Sequence, residues 1–121
     1  LARNKGIRGM VIDGAGRDIE ELRDLRFPVF TRAITARGTH TMFSGRKDEL
    51  SINVPITCGG VRVEPGDMIV ADEIGVTVVP RANLAEVLQR AREQAEREEA
   101  TRRWVAQGKT VEDLLREFGR I

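Results

Sequence analysis

The chain is 121 residues long, 40% hydrophobic and 32% charged, with 20 basic and 19 acidic side chains for a net charge of +1. That size and apolar content suit about one globular domain, and the near-zero charge argues against a dedicated nucleic-acid binder. No apolar run reaches the roughly 20 residues that span a bilayer, no signal peptide is visible, and the single Cys58 cannot form an intramolecular disulfide. A cytoplasmic protein with no membrane and no nucleic-acid partner is the expectation.

"LARNKG" opens the chain without a methionine and reads as the end of a helix, with Gly6 just past its C-terminus. The expectation drawn from it is a piece of something longer. "GMVID" then reads as a fully buried strand, and "DIEELRDL" has helical spacing with Ile19, Leu22 and Leu25 on one face. "FPVFTRAI" returns to strand character, so strand, helix and strand follow as in a right-handed crossover. Residues 37–50 are polar and glycine-punctuated, a loop, whose internal "KDEL" is not a C-terminal retention signal.

The stretch from Ile52 to Pro80 is β-rich, with "EPGD" as a turn between "GVRV" and "MIVA", and "GVTVVP" as a further strand. From Asn83 the pattern becomes helical, "NLAE" placing Asn83 at the N-cap and a glutamate three residues on. This helix is highly charged and offers only a narrow apolar stripe. "KTVEDLLREFG" closes the chain as a short amphipathic helix, with Thr110 at its N-cap and Gly119 past its end.

The candidate site lies in "DGAGRD", residues 13–18. A dinucleotide fingerprint fails here: the third glycine falls at Ile19, and Asp13 and Asp18 would repel a pyrophosphate. "GKT" at 108–110 fails as a phosphate loop, because Arg103 occupies the position of the earlier glycine. The charge pattern suits a divalent cation instead. Asp18 begins a helix and offers a hard carboxylate, of which Mg²⁺ commonly takes one or two while substrate oxygens and water complete its shell. Arg17 can clamp a carboxylate with two parallel hydrogen bonds, and Gly14 and Gly16 let a small acid approach the backbone. The plainer alternative is a βα turn in which Asp18 caps its helix and Arg17 pairs with Asp13.

Elsewhere the residues invite plain readings. His40 is a lone imidazole in a polar loop, without a partner cluster. Cys58 reads as a small buried residue, since no His-Asp or His-Asn set accompanies it. Asp67 stabilises its turn. Asp72 and Glu73 sit at a strand end, either in a solvated turn or reaching a neighbouring subunit's site. The Arg- and Glu-rich run 90–103 is a solvated helix face laced with i,i+4 pairs.

"GMVIDGAGRDIEELRDLRFPVFTRAI" followed by "INVPITCGGVRVEPGDMIVADEIGV" resembles the RraA-like family, which includes 4-hydroxy-4-methyl-2-oxoglutarate aldolases and the regulator of ribonuclease E activity A. The family's "DGxxRD" is present at Asp13, Gly14, Arg17 and Asp18, and its "PGDxxxAD" at Pro65, Gly66, Asp67, Ala71 and Asp72. The resemblance covers residues 1 to about 80, and "WVAQGKTVEDLLREFGRI" resembles the tail of longer members. It implies an α/β fold, the C-terminal portion of a compact swivelling β/β/α-type domain at 1–80, incomplete at its N-terminus, followed by a helical extension at 81–121.

For the site, the resemblance implies that Asp18 binds the metal, Mg²⁺ or Mn²⁺, and that Arg17 is catalytic and holds the pyruvate portion of a 2-oxo acid. Gly14 and Gly16 would line the substrate, with Asp13, Asp72 and Glu73 further out. It also implies homotrimers or hexamers with sites between subunits. Where the family carries an acidic pair after "AD", this chain reads Glu73-Ile74, and the family's first half with its Gly-rich loop is absent. The expected partner is therefore an N-terminal half or companion chain, against which Val11, Ile12, Val29, Ile69, Val70, Val76 and Val78 would pack. The expected activity is retro-aldol cleavage of 4-hydroxy-2-oxo acids to pyruvate, with oxaloacetate decarboxylation through the same enolate. The alternative is a non-catalytic protein-binding module.

Overall fold

The computed structural model describes residues 1–38 and 51–119, so His40 and the internal "KDEL" lie outside the described residues. The chain divides into two compact units, Leu1–Pro80 and Arg81–Ile121.

The first unit opens on a single 3₁₀ turn, Arg3–Lys5, ended by Gly6 at φ 80° with its N–H on the Arg3 carbonyl. Six strands and one short helix follow: β1 (Met10–Gly16), α1 (Ile19–Asp24), β2 (Val29–Ile34), β3 (Ile56–Cys58), β4 (Val61–Val63), β5 (Met68–Ala71) and β6 (Val76–Val79). β1 and β2 pair in parallel, with α1 in the crossover connection that parallel neighbours need. β3–β4 and β5–β6 are antiparallel hairpins, and among the described residues each pair stands as its own two-stranded sheet. The architecture is thus α/β, with helices closing the chain.

Two turns show why the strands end where they do. Gly59 and Gly60, at φ 61° and 81°, join β3 to β4, the doubly left-handed two-residue turn whose twist matches a hairpin. In "EPGD" the Asp67 N–H donates to the Glu64 carbonyl at 3.1 Å, and the Glu64 N–H donates to Asp67 Oδ2 at 2.9 Å. Asp67 thus stabilises its turn as expected, although β4 and β5 on either side of it do not pair with each other.

Burial departs from the sequence pattern. β1 was expected to be fully covered, yet Met10 and Val11 are about two-fifths exposed, and Val70 in β5 is 58% exposed. A strand with one ladder partner and no layer over its face keeps its apolar side chains in contact with solvent. Among the described apolar side chains only Val79 and Leu114 are buried, one in each unit. Cys58 is half-buried rather than enclosed, and its thiol is free.

The second unit is α2 (Leu84–Ala106) and α3 (Val111–Phe118). The expected Asn83 cap does not form: Asn83 has φ −101° and ψ 0°, and its side chain makes no capping bond. A 3₁₀ turn at Arg81–Asn83 leads directly into α2, so Asn83 lacks the extended backbone that aims a capping side chain at the helix. Thr110 has that backbone (φ −82°, ψ 166°) and forms a reciprocal capping box with Asp113. The two helices meet through Trp104 and Phe118, edge to face at 5.4 Å, with Lys109 Nζ 5.6 Å from the Trp104 ring. Along α2 the pairs Glu86–Arg90 and Glu99–Arg103 lace the solvated face.

Candidate functional site

The expected loop "DGAGRD" is mostly strand. β1 runs on through Gly14 to Gly16, and it does so over a bulge. Ile12 pairs with Thr31 but Ala15 pairs with Ala33, so Asp13 and Gly14 together face Arg32. Past the bulge Gly16 is buried, and its carbonyl accepts the Thr35 N–H at 2.9 Å. A Cβ at Gly16 would come 2.9 Å from Thr31 Cγ2. The close approach of two strands, rather than a positive φ, is what requires glycine there.

Arg17 and Asp18 follow at once. Arg17 Nε lies 3.2 Å from Asp18 Oδ2, and both side chains are about half exposed. Asp18 occupies the N-cap position of α1 in the left-handed conformation (φ 59°, ψ 42°), and its side chain makes no capping bond. The capping role weighed for Asp18 is therefore not taken up. A non-glycine residue in that region costs on the order of 1 kcal/mol, aspartate being among the residues that tolerate it best. The turn thus gives up a cap, tolerates a strained residue, and holds a carboxylate beside a guanidinium. Beyond the pair lies Gly38, where a Cβ would sit 3.7 Å from Arg17 Nη1.

Asp13 does not pair with Arg17, contrary to the plainer reading. Its Oδ1 accepts Arg32 Nε in an ion pair across the β1–β2 ladder, and its Oδ2 accepts the Gly59 N–H at 2.8 Å. The Gly59 amide, and after it the Arg32 guanidinium, hold the Asp13 carboxyl below its ordinary pKa. Arg32 and Gly59 did not emerge from the sequence as site residues. The available signal was an arginine inside the otherwise apolar strand "VFTRAI".

Asp72 lies in the β5–β6 turn, where its Oδ1 accepts the N–H groups of Ile74 at 2.8 Å and Gly75 at 3.2 Å. Its own N–H donates to the Gly75 carbonyl at 3.0 Å. Glu73 is exposed beside it. The structure therefore brings Arg17 and Asp18 together, links Asp13 to Arg32 and Gly59, and gives Asp72 a turn-closing role. Among the described residues no three His, Cys, Asp or Glu side chains converge as a closed metal cage, and no helix is long and apolar enough to cross a membrane.

Comparison with known proteins places these features in a family. The model of the RraA-like family, described as Aldolase/RraA, matches residues 1–78. A provisionally named 4-hydroxy-4-methyl-2-oxoglutarate aldolase of Halalkalibacterium halodurans is 42% identical over 106 residues, covering 88% of this chain and 48% of the relative. The chain thus spans about half the length of that curated relative. Among solved structures, an uncharacterized protein of Pseudomonas syringae pv. tomato superposes with a TM-score of 0.83 at 32% identity, over 97% of this chain and 53% of the other. Streptomyces coelicolor RraAS2, described as an unusual member of the RNase ES inhibitor RraA protein family, superposes with a TM-score of 0.68 at 32% identity, over 83% and 49%.

Proposed function

The chain belongs to the RraA-like family, and from that premise we propose that it carries the Arg–Asp portion of a divalent-metal-dependent lyase that cleaves 4-hydroxy-2-oxo acids to pyruvate. The observation that carries this reading is the Arg17–Asp18 pair: Nε to Oδ2 at 3.2 Å, half exposed, on a strained turn whose carboxylate does not cap its helix. Strain of this kind concentrates where a side chain is needed for function rather than for local stability.

The donor set fits a magnesium-type ion. Asp18 offers one exposed carboxylate, and such an ion commonly takes one or two, leaving its other positions to water and substrate. Asp18 would hold Mg²⁺ or Mn²⁺. Bound there, the ion would supply Lewis-acid stabilisation of negative charge on the keto oxygen. Arg17 receives the substrate carboxylate with its planar fork and adds fixed positive charge where the enolate develops. Gly14 is the glycine proposed to present backbone to the substrate, because the missing Cβ of Gly16 lies against Thr31 and serves strand packing instead. Loss of carbon dioxide from oxaloacetate yields the same enolate, so decarboxylation belongs to the same proposal.

Because the chain covers about half of its relatives, the rest of the pocket is proposed to come from their other half and from neighbouring subunits in a trimer or hexamer. The name of the Streptomyces neighbour supports a second reading, a regulator that binds a ribonuclease through its surface.

The test is Asp18→Ala in the full-length protein. We expect loss of Mg²⁺- or Mn²⁺-dependent pyruvate release with an unchanged circular dichroism spectrum. Unchanged turnover in EDTA-treated protein would refute the metal mechanism. Ribonuclease inhibition that survives Asp18→Ala, with no pyruvate released by the wild type, would favour the regulator.

A further inference from the structure

We propose that Asp13 is a positioning residue: its carboxylate fixes the β1 bulge to the Gly59 turn and so sets the side on which Arg17 and Asp18 emerge. The inference rests on the roles proposed above for those two residues.

Side chains alternate along a strand, so one extra residue inverts the facing of everything after it. β1 takes three steps from Ile12 to Ala15 where β2 takes two from Thr31 to Ala33. That extra step determines how Gly16 meets Thr31, and therefore how the chain leaves the sheet into Arg17 and Asp18. A bulge also forfeits regular ladder pairing at its own position, so something else must hold it. Here a side chain does so: Asp13 lies in the bulge and accepts Nε of Arg32, the residue opposite. Its second oxygen accepts the Gly59 N–H, 46 residues along the chain. Gly59 opens the two-residue turn of the β3–β4 hairpin, where its amide lies outside the ladder. One carboxylate thereby ties two strands and a turn to the step that precedes the site.

The chemistry requires an aspartate. Both oxygens receive donors, and an asparagine must turn its NH₂ toward one of them, losing that bond and opposing two donors. With both oxygens engaged, Asp13 acts on the site through Arg17 and Asp18 rather than by touching substrate.

The test uses the full-length protein with Mg²⁺ and oxalate, a planar dianion resembling the pyruvate enolate, with affinity read by calorimetry. Asp13→Asn should weaken oxalate binding about tenfold, as expected for a misplaced bidentate arginine. Introduced into Arg17→Ala, the same change should cost clearly less than about tenfold, because one of the two groups it positions is gone and only its effect through Asp18 remains. Arg32→Lys, which keeps a donor opposite the bulge, should stay within about threefold of wild type, whereas Arg32→Ala should follow Asp13→Asn. Should Asp13→Asn not fold, Arg32→Ala carries the same cycle with Arg17→Ala. Wild-type oxalate affinity in Asp13→Asn, or a loss that multiplies in full with Arg17→Ala, overturns the positioning role alone. Wild-type affinity in Arg17→Ala removes the role proposed for Arg17, and the positioning role with it.

Discussion

Gly16 is where fold and site meet most tightly, and it gives a quantitative test of the β1–β2 packing. In Gly16→Ala the new Cβ would stand 2.9 Å from Thr31 Cγ2, with Oγ1 at 3.6 Å and Cβ at 3.7 Å. Carbon atoms pack at about 3.5–4.0 Å, so the methyl overlaps one specific neighbour and no other. Thr31 cannot rotate freely to relieve it, because its Oγ1 donates to the Ala33 carbonyl at 3.0 Å. Losing that bond costs about 1 kcal/mol, and separating the strands instead strains the Gly16 carbonyl's bond with Thr35. We expect Gly16→Ala to destabilise by about 1–3 kcal/mol, the usual range for overpacking. The same geometry predicts its cure. Thr31→Ser deletes Cγ2 and keeps the hydroxyl, leaving the alanine in ordinary contact. Urea unfolding of the four proteins of this cycle, at one protein concentration, should show coupling of at least about 1 kcal/mol. An equal Gly16→Ala loss in the threonine and serine backgrounds would refute the steric account, and so would a loss under about 0.5 kcal/mol.

Further outcomes follow from other contacts. Arg17→Lys keeps charge but loses the planar fork, so kcat/KM for pyruvate release should fall about tenfold or more, and wild-type kinetics would return Arg17 to a structural role. The Asp13 carboxyl sits below its ordinary value of 3.8, so its stabilisation is complete above that pH and is lost as pH falls through the lower folded value. The stability gap between wild type and Asp13→Asn should therefore hold at neutral pH and close only under more acid conditions, and a gap unchanged by acid would contradict this. Thr110→Ala removes one side of the capping box and should cost about 1 kcal/mol by thermal or urea unfolding. Thr110→Ser should recover most of that loss.

The elements of the chain were legible to different degrees, for physical reasons. Apolar spacing and turn residues located β1, α1, β2, β4, β5, β6 and both C-terminal helices, because that spacing and the residues that end each element act locally. The parallel β1–β2 pair followed from the helix between them. The bulge was not legible: "IDGAG" is compatible with either register, and the register depends on Thr31, Arg32 and Gly59, far along the chain. The same cause hides the Asp13 partner, since Arg17, offered in the plainer alternative, is near in sequence but Arg32 is opposite in the sheet. At Asn83 the sequence offered a good capping residue, but the 3₁₀ turn before it fixes a backbone that capping cannot use. Asp18 was legible as a functional candidate from its neighbours, whereas its left-handed backbone was not.

The apolar pattern of the strands is informative where contact and sequence disagree. Ile56, Val61, Met68, Ile69, Val70 and Val76 are all more than a third exposed, on sheets of two strands each. Such small sheets are marginal alone and usually need a further layer or more strands, and β-branched runs of this kind fit strands covered on their faces. Val11, at 40%, joins Ile69, Val70 and Val76, so four of the seven positions expected to pack against other polypeptide are exposed. Arg17 and Asp18, though internally paired, are half exposed on a turn of the same unit. A metal-dependent lyase site must exclude water once substrate is bound, because fixed charges stabilise a developing enolate far better in a dry pocket than in solvent. Apolar strands lacking cover and an Arg17–Asp18 pair, proposed as catalytic, that is open to solvent therefore support the same proposal: further polypeptide, from the rest of the longer relatives' fold or from a neighbouring subunit, completes both the sheet and the site.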